Sequence, residues 1–297
     1  MEHENIYLQR INAVVDYVRE HITDDLSLTT LAQVAHFSPF HFHRIFRSVT
    51  GETVNDLVVR LRIERAAALL RSSPHMSVLD AAVAGGFASA SNFSRIFKKS
   101  YGISARTWDR QSSLKDSKNR KVLEAFTQYT SDMLDKFDQE FEVQLGEMPE
   151  QSLAYIRVAN AYQSGDIPHA YERLIRWYKQ CGEDPLERKL YGMAQNDPDI
   201  TPIELCSYDW CLPAPQQPIT NSEISYRTFP ACQIAFIRCT GDIYLVDKVW
   251  QYLFRYWLPH SRFQPDNLPA LEIYHRQPAL LGWEQYDIDC AIPIVSL

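Results

Sequence analysis

Nowhere does the 297-residue chain approach the roughly 18 consecutive apolar residues of a membrane span. Its first ten residues, MEHENIYLQR, lack the basic start and apolar stretch of a secretion signal. A cytoplasmic protein without membrane contact is therefore expected. Cysteine is absent before Cys181, and the six in the second half (Cys181, Cys206, Cys211, Cys232, Cys239 and Cys290) contain no C-x-x-C pair. That pattern argues against a zinc ribbon or a dithiol redox site and leaves free, mostly buried thiols as the expectation. No phosphate loop, nucleophile elbow or H-E-x-x-H occurs. His36, His41 and His43 are near one another, yet His41 and His43 lie two apart on a helix and diverge. No metal, cofactor or enzymatic activity is expected on these grounds.

What the chain does contain is unevenly distributed. Its net charge is -7. Residues 1–112 carry 13 Lys/Arg against 11 Asp/Glu, whereas residues 113–297 carry 17 against 26. An acidic total thus conceals a mildly basic first part, and the local distribution matters more than the overall value.

The first part repeats itself. HFHRIFRSVTG (His41–Gly51) matches NFSRIFKKSYG (Asn92–Gly102) through Phe42/Phe93, Arg44/Arg95 and Gly51/Gly102. Upstream, Ser27 matches Ser77 and Phe37 matches Phe87, one residue out of step. A repeat of this kind is one structural unit used twice. Each unit reads as helix, turn, helix. Ser27, Ser38, Ser77 and Ser89 are placed as N-caps, Pro39 at a first helical position, and Gly51 and Gly102 as left-handed C-caps. Leu28, Leu31, Ala32 and Ala35 mark a buried face, as do Phe42, Ile45, Phe46 and Val49 in the next helix and Phe93, Ile96 and Phe97 in its copy. Between the units, VNDLVVRLRIERAAALLRS (Val54–Ser72) predicts one long helix of about 27 Å. Ile11, Val14, Val15, Val18 and Ile22 predict an amphipathic helix before them.

Opposite the buried stripes stand Pro39, Phe40, His43, Arg44 and Arg47 in the first unit. Ala90, Ser91, Asn92, Ser94, Arg95, Lys98 and Lys99 occupy the second. Small or planar hydrogen-bonding groups in front, with cations behind, suit a helix in the DNA major groove: Asn and Arg read base edges, and Arg and Lys neutralise phosphates. Two such helices separated by ~27 Å approach the ~34 Å repeat of the duplex. Double-stranded DNA is the expected partner. A solvated amphipathic face would explain one such helix, but two capped copies favour DNA.

Residues 8–110 resemble the DNA-binding domain of the AraC/XylS regulators through SPFHFHRIFRSVTG, RIERAAALL and GFASASNFSRIFKKSYGISARTW. The resemblance implies seven helices, two helix-turn-helix units joined by a long helix, base contacts from the positions above, and RNA polymerase as a partner. DAAVAGGF departs from the family at Ala81, usually bulkier, and Gly85. Those small residues imply a less rigidly packed second unit.

QSSLKDSKNRK (111–121) reads as a polar linker, and Val122–Phe141 has a helical pattern. The remainder repeats again: PEQSLAYIRV from Pro149 aligns with PACQIAFIRC from Pro230, and Trp177 with Trp257. Alternating apolar segments around aromatic helices predict two β-α-β-β units in an α+β domain. The expected organisation is an all-α DNA-binding domain at 1–110, a linker with connecting helix at 111–140, and the α+β domain at 141–297.

MPEQSLAYIRVANAY, YDWCLP, FPACQIAFIRCTGDIY and LEIYHRQP resemble the GyrI-like small-molecule-binding domain, an SH2-like effector-binding fold. Ala159-Asn160-Ala161-Tyr162 stands where that family often has Thr-Gly-x-Tyr. The resemblance implies a cleft with Glu272 inside it. Tyr208, Trp210, Tyr244, Trp250, Trp257 and Tyr274 are the candidate ligand-binding aromatics, with Tyr162, Trp177 and Trp283 also available. A carboxylate walled by rings suits an organic cation. Spacing alone favours core aromatics and an exposed Glu272; the resemblance turns the reading toward a pocket. A small-molecule effector is the expected partner, so the leading expectation is an effector-responsive transcription regulator. The same resemblance leaves two alternatives: an interaction protein that inhibits a nucleic-acid enzyme, and a hydrolase using Glu272 as base.

Overall fold

The computed structural model describes residues 2–110, 114, 141–221 and 223–297. The linker at 111–121, apart from Leu114, and the helical expectation over Val122–Phe141, apart from Phe141, lie outside the described residues, as does the side chain of Phe40. Residues 2–110 form six helices: α1 (Glu2–Glu20), α2 (Leu28–Val34), α3 (Pro39–Thr50), α4 (Val54–Ser72), α5 (Val78–Ala84) and α6 (Ala90–Tyr101). The expected seventh is a single turn, closed by Trp108 N–H donating to the Ser104 carbonyl at 3.0 Å.

The caps explain where these helices begin and end. The hydroxyls of Ser27, Thr53, Ser77 and Ser89 each accept a backbone N–H three residues on, at 3.1–3.2 Å. This satisfies donors that a helix cannot pair internally. Ser38 makes no such bond; Pro39 starts α3 instead, its fixed φ suited to the first turn. Gly51 and Gly102 end α3 and α6 at φ of 80° and 73°, which a residue with a Cβ adopts only at a cost.

Two small cores lie side by side. The first joins Ile11, Val14 and Val18 of α1 to Leu31, Phe42 and Phe46. The second joins Ala81, Phe93, Phe97 and Trp108. The α4 helix supplies both, giving Leu57 and Leu61 to one and Ile63, Ala66 and Leu70 to the other. Two expected buried positions are exposed: Leu28 at 42 % and Val49 at 39 %. They sit in the first turn of α2 and the last turn of α3. The small residues of DAAVAGGF also act differently from expectation. A Cβ on Gly85 would lie 2.9 Å from both the Ala66 Cβ and the Arg62 carbonyl oxygen. Smallness there brings the end of α5 directly against α4.

The second part is one nine-stranded antiparallel sheet with helices on one face. Its strands are β1 (Gln144–Met148), β2 (Gln151–Val158), β3 (Leu190–Ala194), β4 (Tyr208–Pro213), β5 (Ser225–Phe229), β6 (Cys232–Gly241), β7 (Phe263–Pro265), β8 (Ala270–Tyr274) and β9 (Tyr286–Ser296). Between β2 and β3 come the short α7 (Ala161–Ser164) and α8 (Ile167–Gln180). The segment α9 (Ile243–Gln251) follows β6 and continues through a π-helical turn at Tyr252–Trp257. The strand order is β1-β6-β9-β8-β3-β4-β2-β5, with β7 on β9. It reads the same from either end, and its centre is the β3–β8 pair, where Gly192 stands opposite Glu272.

The expected β-α-β-β unit is incomplete. Each unit has a leading strand, and that strand pairs across the pseudo-twofold: β1 with β6, and β5 with β2. QLGEM and SYRTF are short and mostly polar, so neither announces itself by an apolar run. The larger core fills the helix side with Leu174 and Trp177 from α8 and Val246 and Val249 from α9. Asn160 adopts φ 48° where the family often has Gly, a conformation Asn tolerates better than most residues. All six cysteines are free, and four are buried.

The two domains are locked by buried polar contacts. Asp16 of α1 accepts from the Tyr155 hydroxyl at 2.5 Å and from Arg157 at 2.8 Å, while Arg157 also grips Asp209 at 2.7 and 2.8 Å. The segment 195–201 between β3 and β4 makes the second lock. Asn196 donates to Glu64 of α4 at 3.1 Å, and Arg71 at the end of α4 pairs with Asp197 and Asp199. Ile200 enters the core beneath α6, where it is 2 % exposed. Truncation of Ile200 to Ala should therefore cost about 2–4 kcal/mol. Urea denaturation of native chain and variant, followed by circular dichroism at about 222 nm, checks this. A change below about 0.5 kcal/mol would refute the assignment of Ile200 to that core.

Candidate functional site

Both reading faces are presented to solvent. On α3, Pro39, His43, Arg44 and Arg47 are exposed around the buried Phe42 and Phe46. On α6, Ser91, Asn92, Ser94, Arg95, Lys98 and Lys99 are exposed, and Ala90 is half-buried. Arg95 donates to the Asn92 side-chain oxygen at 2.9 Å, so two of the candidate base-reading groups already hold each other in place. With Ser89 fixing the first turn of α6, Ser91, Asn92 and Arg95 emerge on the side away from Phe93 and Phe97.

A second site lies at the junction of the domains. A cavity of about 590 Å³ is lined by Glu272, Trp250, Phe254 and Tyr162 of the sheet domain and by residues of α1, α4 and the 195–201 segment. Its volume falls within the range of small-molecule sites. Glu272 accepts hydrogen bonds from the Tyr208 hydroxyl at 2.7 Å and the Tyr274 hydroxyl at 2.8 Å. Gly192, its cross-strand partner, makes this geometry possible: a Cβ there would sit 1.7 Å from the Tyr208 hydroxyl oxygen. Burial pushes the Glu272 carboxyl above the usual carboxylate range, and hydrogen bonding from Tyr208, Tyr274 and Trp250 only partly offsets this. Among the described residues Glu272 has no salt bridge. A buried carboxylate with a raised pKa and no cationic partner gains most from a ligand that brings the positive charge.

The expected aromatics divide into three groups. Trp250 lines the cavity with Glu272, stacked on Phe254 at 5.9 Å between centroids. Tyr208 and Tyr274 do not line the cavity but hold the carboxylate from behind. Trp210, Trp257 and Tyr244 do not contribute to its walls. Trp210 is 1 % exposed, wedged between the Tyr208 and Tyr274 rings with its indole N–H on the Ile167 carbonyl. Trp257 stacks on Phe263, and Tyr244 is 57 % exposed at the start of α9. Of the additional aromatics, Tyr162 lines the cavity, whereas Trp177 and Trp283 pack in or against the core. Helical and strand spacing place an aromatic on a face, but do not separate the stretch of that face that is covered from the stretch left open.

The residues missed by sequence reasoning are those whose partners lie far along the chain. Asp16, Arg157, Asp209 and Arg227 form one buried cluster of two carboxylates and two guanidiniums. Burial alone would raise the Asp16 pKa, but Arg157, Arg227 and the Tyr155 hydroxyl overcome it and hold the carboxyl below its ordinary value. The contribution of α4 to the cavity wall was also unforeseen. A charged residue on each of two predicted strands, Arg157 and Asp209, was the only available signal.

Two parts of the chain are similar to families of known proteins. Residues 141–295 match the model of the GyrI-like small molecule binding domain, and residues 31–111 match a helix-turn-helix domain. Regulatory protein SoxS of Escherichia coli K12 is 30 % identical over 101 residues, which cover 34 % of this chain and 90 % of SoxS. The bifunctional transcriptional activator/DNA repair enzyme AdaA of Bacillus subtilis is 28 % identical over 109 residues, covering 37 % of this chain. The match spans about half the length of AdaA, 51 %. Among solved structures, the DNA-binding domain of AdpA in complex with a target DNA aligns over 40 % of this chain and 96 % of its own, with 27 % identity and a TM-score of 0.32. The EcmrR C-terminal domain aligns over 54 % of this chain and 100 % of its own, with 13 % identity and a TM-score of 0.40. By the GyrI-like match over half its length and the helix-turn-helix relatives before it, the chain belongs to the AraC/XylS-type regulators that carry a GyrI-like C-terminal domain.

Proposed function

We propose that this protein is a sequence-specific DNA-binding transcription regulator, and that a small organic cation bound beside Glu272 sets its response. The observation that carries the first half is the pair of capped, exposed helices α3 and α6 packed along a single α4 of 19 residues. At ~1.5 Å per residue α4 is about 28 Å long, which suits two helices entering successive major grooves on one face of the duplex. The relatives support the reading, since they include a transcriptional activator and a regulatory protein.

In this scheme Arg44 and Arg95 anchor bases or phosphates. His43, Ser91 and Asn92 address base edges, with Pro39, Phe40, Ala90 and Ser94 at the groove floor. Arg47, Lys98 and Lys99 neutralise phosphates. Two unequal heads in one chain allow an asymmetric site to be read without a second copy. RNA polymerase is the partner through which bound protein acts, the cytoplasm is its compartment, and the C-terminal domain binds its effector without turning it over. The functional units are 1–110 for DNA and 141–297 for the effector, with 111–140 between them.

DNA affinity for a selected duplex should fall steeply between 50 and 200 mM salt. Arg44→Ala should weaken that binding by about 1–3 kcal/mol while leaving nonspecific DNA less affected. Fluorescence anisotropy measures both, and a salt-independent affinity without sequence preference would refute the DNA reading.

The effector reading predicts a pH dependence with a definite sign. The Glu272 pKa is raised, so the empty site takes up a proton as pH falls into a range above that of ordinary carboxylates. A cation requires the carboxylate. Binding of benzyltributylammonium, followed by calorimetry, should therefore weaken as pH is lowered through that range. Glu272→Gln should lose at least tenfold in affinity and the pH dependence with it. Unchanged affinity in Glu272→Gln would end the cation proposal.

A further inference from the structure

The cavity at Glu272 is not enclosed by the effector domain alone. One of its walls is a face of α4, the helix that joins the two helix-turn-helix units. Leu61, Glu64, Arg65, Ala68, Leu69 and Ser72 line it at the spacing of one helical stripe, with Arg71 at its edge. Their neighbours Ile63, Ala66, Ala67 and Leu70 are fully committed to the core under α6. Glu64, Arg65 and Ala68, by contrast, retain partial exposure. They do so although this face is turned toward another domain, because the space between is left open as cavity.

The open wall is held at a fixed distance. Glu64 is tied to Arg60 at 3.1 Å on its own helix and to Asn196 of the effector domain at 3.1 Å. Asn196 in turn accepts from Arg19 of α1 at 3.4 Å. Arg65 is anchored at the cavity wall by its Nε, which donates to the Ala84 carbonyl at 2.9 Å. Ala68, with the smallest side chain on the stripe, packs at the edge of the second core and lines the cavity, which Trp250 and Phe254 line from the effector domain.

We propose that the effector site is composite, with Glu272 receiving the positive charge and the α4 stripe around Ala68 contacting the apolar body of the ligand. This rests on the cation reading of the Glu272 cavity and goes beyond it by assigning half of the binding surface to the DNA-binding domain. A bound ligand then touches the helix that sets the separation of α3 and α6. Effector and DNA are coupled through one shared element, and whatever change one makes in the affinity of the other is reciprocated.

Photolabelling of the full chain tests the assignment. With 4-azidobenzyl-tributylammonium as probe, adducts mapped by mass spectrometry should fall within 61–72 as well as within 243–274. Both sets should disappear in Glu272→Gln and under excess benzyltributylammonium. Adducts confined to 141–297 would overturn the composite site while leaving the cation reading intact. No adduct dependent on Glu272 would overturn both. A second variant, Ala68→Trp, fills the cavity from the α4 side and should raise the Kd for benzyltributylammonium at least tenfold. A native Kd in Ala68→Trp that also keeps the native circular dichroism spectrum would count against the proposal.

Discussion

Asp16, on the first helix, is buried between two guanidiniums of the sheet domain, Arg157 and Arg227, with Asp209 completing a neutral set of four charges. Such a cluster adds little to net stability, because desolvating four ions cancels much of their attraction. Its effect is on specificity. Separating the domains would strand Arg157 and Arg227 on the sheet surface with only Asp209 between them, and removing one partner while the domains stay docked leaves a buried charge uncompensated. One relative placement of α1 and the sheet brings all four charges together. The cavity, the docking of α4 and the position of the 195–201 segment follow from that placement.

The 195–201 segment shows how short the physical path between the sites is. Gly192 lies opposite Glu272 at the centre of the sheet. Along the same chain, Asn196 reaches Glu64, Asp197 and Asp199 hold Arg71, and Ile200 fills the core beneath α6. Asp199 is shared with Arg255, just beyond α9 on the cavity side. In the proposed scheme a cation at Glu272 and a duplex at α6 therefore bear on the two ends of one nine-residue stretch, Gly192 to Ile200, and α4 contacts its second half. Coupling between two sites requires a physical element that both bias, and this stretch together with α4 is the one we propose.

The features legible in sequence are those encoded locally. The bounds of α4, the Ser caps and the two Gly C-caps depend on residues within four positions of one another, and they fall where the pattern places them. The two-domain α+β organisation was carried by internal repetition and by family resemblance. The exchange of β1 and β5 between units was hidden because a strand's partner is not written in the strand. Trp210 and Trp250 illustrate the same limit: both are aromatic and suitably spaced, yet one closes the core and the other lines the cavity. Gly192 was silent for a related reason. Its importance lies in the Tyr208 hydroxyl that crosses over it, 16 residues later in the chain.

The central claim is that effector and DNA share α4 and are therefore linked. Calorimetric titration of the full chain with benzyltributylammonium, with and without a saturating selected duplex, tests this most directly. The account predicts that DNA changes the Kd for the cation, and by the same factor as the cation changes the Kd for DNA. An identical Kd for the cation in the two titrations would contradict it.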